Sequence, residues 1–379
     1  MKYIPFHKTF IPKKDALRRI QETIESGWLT TGPQVKEFEK RVTTYLGARY
    51  GVAVSSGTAA LHLGYLATIQ KGDEVIVPSF TFCSAINMLY HIGSRIVFCD
   101  IDLRTLCIDP QDVAKRITSR TKAIVAVHFA GFPADLDALR AVIGKRDIAI
   151  IEDAAHAFGT KYKGAYIGSG KNITCFSFYA TKNLTTAEGG MVLCSARSRD
   201  TQIRMTALHG ISKHASERYT KQGSWYYEVL FPGFKYNLSD IHASIGLSQL
   251  PYYEQMLLRR KKIVELYTVQ LRNIPFLELP MDTEDAGSRH AWHLYVIRLQ
   301  PGSRLSRAKF IQQLEKAGIK TSVHFIPNHL QPFYRKQYPN VSLPKTESVA
   351  PTVVSLPLFD GLSRKEVLYI TRTIRNLLT

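Results

Sequence analysis

An α/β fold, with a mainly parallel sheet covered by helices on both faces, is what this chain predicts, and three observations predict it. Short β-branched runs recur from residue 50 onward, helical segments separate them, and polar residues able to carry chemistry follow the ends of the runs. In open parallel sheets, ligands gather at the carboxyl ends of the strands.

The run at 51–54 turns at Ser55-Ser56-Gly57-Thr58 into a helix that opens on small residues. Free backbone N–H groups and the positive dipole end there suit a phosphate, although an ordinary capped helix has the same sequence. The second strand, 74–78, leads through Phe82 to a helix over 84–91. A third strand at 95–100 precedes a helix from Pro110, and a fourth at 122–128 precedes a helix over 135–144. The fifth, 148–153, ends in Glu152-Asp153-Ala154-Ala155-His156. A carboxylate buried there needs a cationic or donor partner; a helix-capping aspartate beside a satisfied histidine is the plainer alternative.

Between the apolar runs Cys175-Phe176-Ser177-Phe178 and Met191-Val192-Leu193-Cys194 lies Lys182. Two short buried strands would hold its amine partly out of water. Such a lysine is either salt-bridged or kept for covalent chemistry with a lowered pKa.

With 379 residues, the chain predicts two lobes: a large domain over 1–250 and a small one over 251–379, the latter with a strand at 291–299 and an amphipathic helix at 306–317. The run Arg259-Arg260-Lys261-Lys262 reads as a solvated helix face. The long polar and aromatic segment 209–230, with Lys213, His214, Tyr219, Trp225 and Tyr226, reads as a loop reaching a neighbouring subunit's site. A formal charge of +19 attracts anions, but the basic residues are dispersed and no helix-turn-helix accompanies them, which argues against nucleic acid. Five cysteines without Cys-x-x-Cys spacing read as reduced thiols. The histidine pairs 290/293 and 324/329 lack companion ligands for a metal. No long apolar run is present, so a soluble, cytoplasmic protein without membrane insertion is expected.

A phosphate cradle at Gly57 and Thr58, a carboxylate at Asp153, an aromatic at Phe82 and an amine at Lys182 together suit pyridoxal 5′-phosphate (PLP). That cofactor has a phosphate to anchor, a flat ring to stack, a ring nitrogen that works best protonated and an aldehyde that condenses with lysine.

The segments 27–33, 55–61, 72–81, 151–157, 176–190 and 233–240, with Ala291-Trp292-His293-Leu294-Tyr295 and Ser355-Leu356-Pro357-Leu358-Phe359, resemble the DegT/DnrJ/EryC1/StrS family of sugar aminotransferases over nearly the whole chain. Trp28-Leu29-Thr30-Thr31-Gly32-Pro33, His156 and His324-Phe325 look most like the branch that aminates a UDP-linked 4-keto-pentose to UDP-4-amino-4-deoxy-L-arabinose. The resemblance implies a fold type I PLP-dependent transferase with a smaller C-terminal α/β domain, working as a homodimer with shared active sites. It implies Lys182 as the internal-aldimine lysine, Asp153 as partner of the pyridine nitrogen, Phe82 stacked on the ring and His156 near the 3-hydroxyl. Gly57, Thr58 and Ser177 would hold the phosphate, joined by Asn237 of the neighbouring subunit, and Trp28, Thr30 and His324 would touch the sugar. L-glutamate is the implied donor and a nucleotide sugar the acceptor, in a ping-pong reaction. The family's dehydratase branch carries histidine in place of the lysine, and Lys182 argues against it.

Overall fold

The computed structural model describes residues 3–212, 226–283 and 287–379. Helices α1 (Lys13–Glu25) and α2 (Pro33–Leu46) precede the alternating region. Strand β1 (Tyr50–Val54) is followed by α3 (Gly57–Leu66), β2 (Glu74–Pro78), α4 (Cys83–Ile92), β3 (Arg95–Cys99), α5 (Pro110–Arg116), β4 (Thr121–Val127), α6 (Leu136–Ile143) and β5 (Ala149–Asp153). After the small hairpin of β6 (Lys161–Tyr162) and β7 (Ala165–Tyr166) come β8 (Ile173–Ser177), β9 (Gly190–Cys194) and α7 (Arg197–Ala207).

Seven strands form the central sheet in the order β1-β9-β8-β5-β4-β2-β3. Only β9 runs against the rest, pairing antiparallel with β1 and β8. Every residue of β2, β8 and β9 is buried, as the unbroken apolar runs require of strands covered on both faces. Alternate side chains enter two cores: Ile124, Ala126 and Ile150 on one face, Ala123, Val125 and Ile151 on the other.

Helix α8 (Asp240–Gln249) packs against α1 and α2, and the long α9 (Tyr253–Leu271) leads into the C-terminal part. There β10 (Leu277–Glu278), β11 (Tyr295–Leu299) and β12 (Val353–Leu356) form an antiparallel sheet. Helices α10 (Arg307–Lys316), α11 (Pro332–Gln337), α12 (Pro344–Val349) and α13 (Arg364–Leu378) complete it. Its core joins Ile263 and Tyr267 of α9 to Ile297, Phe310 and Ile370. Ile4 belongs to the same core: its N–H donates to Gly318 O at 2.8 Å, so the first described residues are fastened to this lobe.

Two expectations are corrected. Residues 291–294 are not strand, and β11 begins only at Tyr295. The basic run in α9 is not wholly solvated, because Arg260 is 3 % exposed. Its Nε donates to Trp292 O at 2.9 Å and its Nη2 to His293 O and Leu358 O at 3.0 Å. Three carbonyls that lack a ladder partner replace its water, and burial lowers its pKa to about 10. Lys213, His214, Tyr219 and Trp225 lie outside the described residues. No described helix is long and apolar enough to cross a membrane.

Candidate active site

The carboxyl ends of β1, β2, β4, β5 and β8 converge on a cavity of about 400 Å³. Eight expected residues line it: Gly57, Thr58, Phe82, Asp153, His156, Ser177, Lys182 and His324.

At the end of β1 the chain enters α3 through Ser56, whose Oγ accepts the Ala59 N–H at 3.0 Å. The cap leaves Gly57 and Thr58, at the start of the helix, in the cavity wall. Glycine at 57 follows from close approach, since a Cβ there would lie 2.6 Å from Ser177 Cβ. A helix N-terminus and the Ser177 hydroxyl thereby meet across the intervening β9, an arrangement suited to a phosphate. A Cβ on Gly190 would lie 2.4 Å from Ser56 O, so the Gly189-Gly190 pair lets β9 start directly beneath this cradle.

Asp153 ends β5, 5 % exposed. Burial pushes its carboxyl above the usual range, offset by the Ala155 N–H, donated to Oδ1 at 3.1 Å, and by the charge of Lys182. Beside it, His128 Nε2 donates to Glu152 Oε2 at 2.9 Å while its Nδ1 accepts the Ala134 N–H at 3.0 Å. The His128 N–H donates to Asp153 O at 3.1 Å, fixing the ends of β4 and β5 together.

Lys182 sits on the connection from β8 to β9. The connection is pinned at both ends, with Phe178 N–H on Gly189 O at 2.8 Å and Lys182 N–H on Tyr179 O at 2.9 Å. Asn183 anchors it to the C-terminal part: its Nδ2 donates to Ala291 O at 2.8 Å, and its Oδ1 lies 3.1 Å from His293 Nδ1. Burial lowers the Lys182 pKa to about 8, with Asp153 opposing the shift. The amine is therefore partly neutral near pH 7, where an exposed lysine is almost wholly charged.

The wall beyond Lys182 is aromatic. His156 lies 4.4 Å from His293 and nearly parallel to Phe325 at 5.9 Å between centroids. Its Nδ1 accepts the Ala130 N–H at 3.3 Å, which leaves the ring proton on Nε2. Burial, with Lys182 and His324 nearby, holds His156 neutral, and burial lowers His324 to about 4. His324 Nδ1 lies 2.8 Å from Ser355 Oγ, and its ring stacks on Phe6 at 5.8 Å. Phe82 is 57 % exposed, an unusual state for a phenylalanine at the head of a helix, and faces the cavity.

Three expected residues do not line this cavity. Asn237 Nδ2 donates to Thr31 Oγ1 at 2.7 Å and to Thr30 Oγ1 at 3.4 Å, and Trp28 Nε1 donates to Thr31 O at 2.9 Å. Asp240 ties this patch to α2, its carboxylate accepting the N–H groups of Gly32, Gln34 and Val35 at 2.8–3.1 Å. Conversely, sequence reasoning assigned no role to His128, Tyr179, Thr181, Glu188, His293 or Phe325, which are all in the wall. His128 follows β4 as Asp153 ends β5, so strand-end position was the available signal. His293 and Phe325 come from loops that no local pattern places.

These features fit PLP: a helix N-terminus with two hydroxyls for phosphate, a flat aromatic wall, a buried carboxylate facing the cavity and a lysine with a lowered pKa. The DegT/DnrJ/EryC1/StrS aminotransferase family model matches residues 11–375. The chain is 43% identical over 380 residues to the spore coat polysaccharide biosynthesis protein SpsC of Bacillus subtilis (strain 168), covering 99% of this chain and 97% of that protein. It superposes on Spr1654 from Streptococcus pneumoniae in its PLP form with TM-score 0.91 at 34% identity, over 99% of this chain and 98% of that one. The sugar aminotransferase CalS13 from Micromonospora echinospora matches with TM-score 0.88 at 32% identity, over 98% and 99%. The chain belongs to the DegT/DnrJ/EryC1/StrS aminotransferase family and is a PLP-dependent sugar aminotransferase.

Proposed function

We propose that the protein moves the amino group of L-glutamate to the keto group of a nucleotide-linked sugar, in two half-reactions that share the Lys182 cavity. The observation that carries this reading is the Lys182 amine, held beside a buried carboxylate with its pKa lowered to about 8. When bound there, PLP supplies an electron sink for the carbanion that forms as the donor loses its α-proton.

The remaining roles fall to the chain's own groups. Lys182 Nζ would hold the cofactor and, as a neutral amine in this cavity, would serve as the base that moves the donor's α-proton. The Asp153 carboxylate holds a proton on the ring nitrogen, because burial makes an unpartnered charge there costly and a cation is its natural complement. His156, its proton on Nε2, would donate to the cofactor's 3-hydroxyl, and Phe82, in the cavity wall, would stack on its ring. Gly57, Thr58 and Ser177 bind the phosphate, and Trp28, Thr30 and His324 contact the sugar.

Asn237, on a patch apart from this chain's own cavity, acts in the cavity of a second copy, so the working unit is a homodimer. The large domain is 1–250 and the small one 251–379. SpsC, named for polysaccharide biosynthesis, and the sugar aminotransferase CalS13 support a sugar acceptor. The likeness at 28–33, 156 and 324–325 makes a UDP-linked 4-keto-pentose the first acceptor to test.

The test is a half-reaction. Enzyme whose cofactor already carries the amine is mixed with 4-keto and 3-keto nucleotide sugars, and the return of the visible absorbance of lysine-bound cofactor is followed. A UDP-linked 4-keto sugar is expected to restore it fastest. Restoration only by ketones without a nucleotide would overturn the assignment.

A further inference from the structure

Building on the keto-sugar reading above, we infer that His293 recognises the acceptor: its Nε2 accepts a hydrogen bond from the sugar hydroxyl on the carbon next to the ketone.

The sequence sets His293 between Trp292 and Leu294, just before β11. Contacts from distant parts of the chain hold it in place. Its N–H donates to Ala130 O at 2.8 Å, and Arg260 Nη2 donates to its carbonyl at 3.0 Å. At the ring, Nδ1 lies 3.1 Å from Asn183 Oδ1. The Asn183 amide has one orientation, because its Nδ2 donates to Ala291 O at 2.8 Å, and turned round it would set two carbonyl oxygens against each other. Oδ1 accepts and never donates, so the His293 proton is on Nδ1 and Nε2 keeps its lone pair. Burial above all, with His156 and the charges of Lys182 and Arg260, keeps the ring from taking a second proton.

Nε2 has no hydrogen-bond partner among the described residues. The sealed side-chain atoms in that condition are Arg19 Nε, Ser94 Oγ, Ser303 Oγ and Thr321 Oγ1. His293 Nε2 is not one of them, so it meets open space. Its ring borders two spaces: the catalytic cavity, and a void of about 20 Å³ that shares Thr181 and His324 with it. The void has room for about one water, so a substrate reaches this nitrogen from the cavity. His156, 4.4 Å away between centroids, has the opposite tautomer, with Nδ1 accepting the Ala130 N–H. The single residue Ala130 thus steadies both histidines, through its N–H to one ring and its carbonyl to the other's backbone. The wall offers a neutral acceptor beside a neutral donor.

The two substrates that share the cavity differ toward such a wall. Apart from its reacting amine, L-glutamate brings carboxylates, which accept and are repelled by a lone pair. A sugar brings hydroxyls. Its ketone carbon has to come within reach of Lys182, the base, and the Lys182 charge is felt at the His293 ring. The hydroxyl nearest that carbon is therefore the one placed to donate.

The test compares a UDP-linked 4-keto-pentose with its 3-deoxy analogue, which lacks only that hydroxyl. Enzyme whose cofactor already carries the amine is mixed with each, and the return of the visible band is followed. Binding is measured separately, by calorimetry on PLP-loaded protein, with unreactive counterparts that carry a hydroxyl in place of the ketone. Wild type should prefer the sugar with the 3-hydroxyl by about tenfold in both measurements, the worth of one hydrogen bond. His293→Phe, which keeps a ring without an acceptor, should lose that preference, with the loss falling on KM more than on kcat. His293→Gln, whose amide oxygen accepts, should regain part of it. The wild-type comparison needs no variant, so it decides the matter even if a substitution unsettles the fold. No preference in wild type, or an undiminished preference in His293→Phe, would overturn the inference and leave the keto-sugar reading standing. A band restored only by ketones without a nucleotide would overturn that reading and the role of His293 with it.

Discussion

The Lys182 cavity and the patch joining Thr30, Thr31 and Asn237 differ in kind, although conspicuous motifs mark both. In the cavity, side chains from five strand ends and from the C-terminal part face one empty volume and bond sparingly to each other. In the patch the polar groups bond among themselves: Asn237 to two threonines, Trp28 to the Thr31 carbonyl, Asp240 to three N–H groups of the α2 terminus. Polar groups left facing a cavity are held for a ligand, whereas groups that satisfy one another are held for shape. On the reading proposed above, the second kind becomes functional when another copy brings it to the mouth of the first.

Four experiments would break or sharpen this contrast. The largest effect is expected from Lys182→Ala, which removes both the cofactor tether and the base. Transamination should fall by about 10⁴ or more, and the visible band of lysine-bound cofactor should vanish. A variant that kept the band would show that another amine holds the cofactor.

Next is Asp153→Asn, which preserves size and removes the charge. A loss of about 10² in kcat is expected, with cofactor still bound, because the ring nitrogen then lacks the anion that keeps its proton. Unchanged turnover would mean that the carboxylate serves only to join β5 to its surroundings.

Asn237→Ala should cost about tenfold by removing one phosphate contact. Mixing it with Lys182→Ala distinguishes the two regions directly. If Asn237 acts across the dimer, re-associated mixtures regain about a quarter of wild-type activity, since half the dimers are mixed and each has one intact site. If it acts within its own chain, mixing restores nothing.

The smallest effect concerns pH. With the Lys182 pKa lowered to about 8, capture of free PLP by the apoprotein should accelerate roughly tenfold between pH 7 and 9, following the neutral amine. The sign for stability is the same. A lysine whose pKa is lowered from 10.5 to about 8 binds fewer protons folded than unfolded in between, so this group's contribution rises with pH across that window. A capture rate independent of pH would show that the amine is already neutral at pH 7.

Much of the sheet was legible because fully covered parallel strands leave unbroken apolar runs, and β2 and β5 were readable almost to the residue. The amino ends were legible too: Ser56 and Ser306 cap helices where a serine precedes a helical pattern. Reading failed where long-range contacts outweigh local preference. Arg260 looked solvated because neighbouring charges surround it in sequence, but three carbonyls from distant loops enclose it in space. Residues 291–294 looked like strand because they are mostly apolar, yet the N–H groups of Ala291, His293 and Leu294 bond to Gly131 and Ala130, and that of Trp292 to His290 Nδ1, rather than to a ladder.

The sequence by itself determined the chemistry of the site: a lysine between two buried strands, an acid at a strand end, a glycine-threonine helix start and an aromatic before the next helix. Those features are local, fixed by periodicity and by which residue follows each strand. Only the tertiary structure decided their company. It closed the wall with His293, His324 and Phe325 from the C-terminal part, set Gly57 against Ser177 across the intervening β9, and held Trp28, Thr30 and Asn237 outside the cavity. Packing and loop closure fix such relations over separations of a hundred residues or more, and no local pattern encodes them.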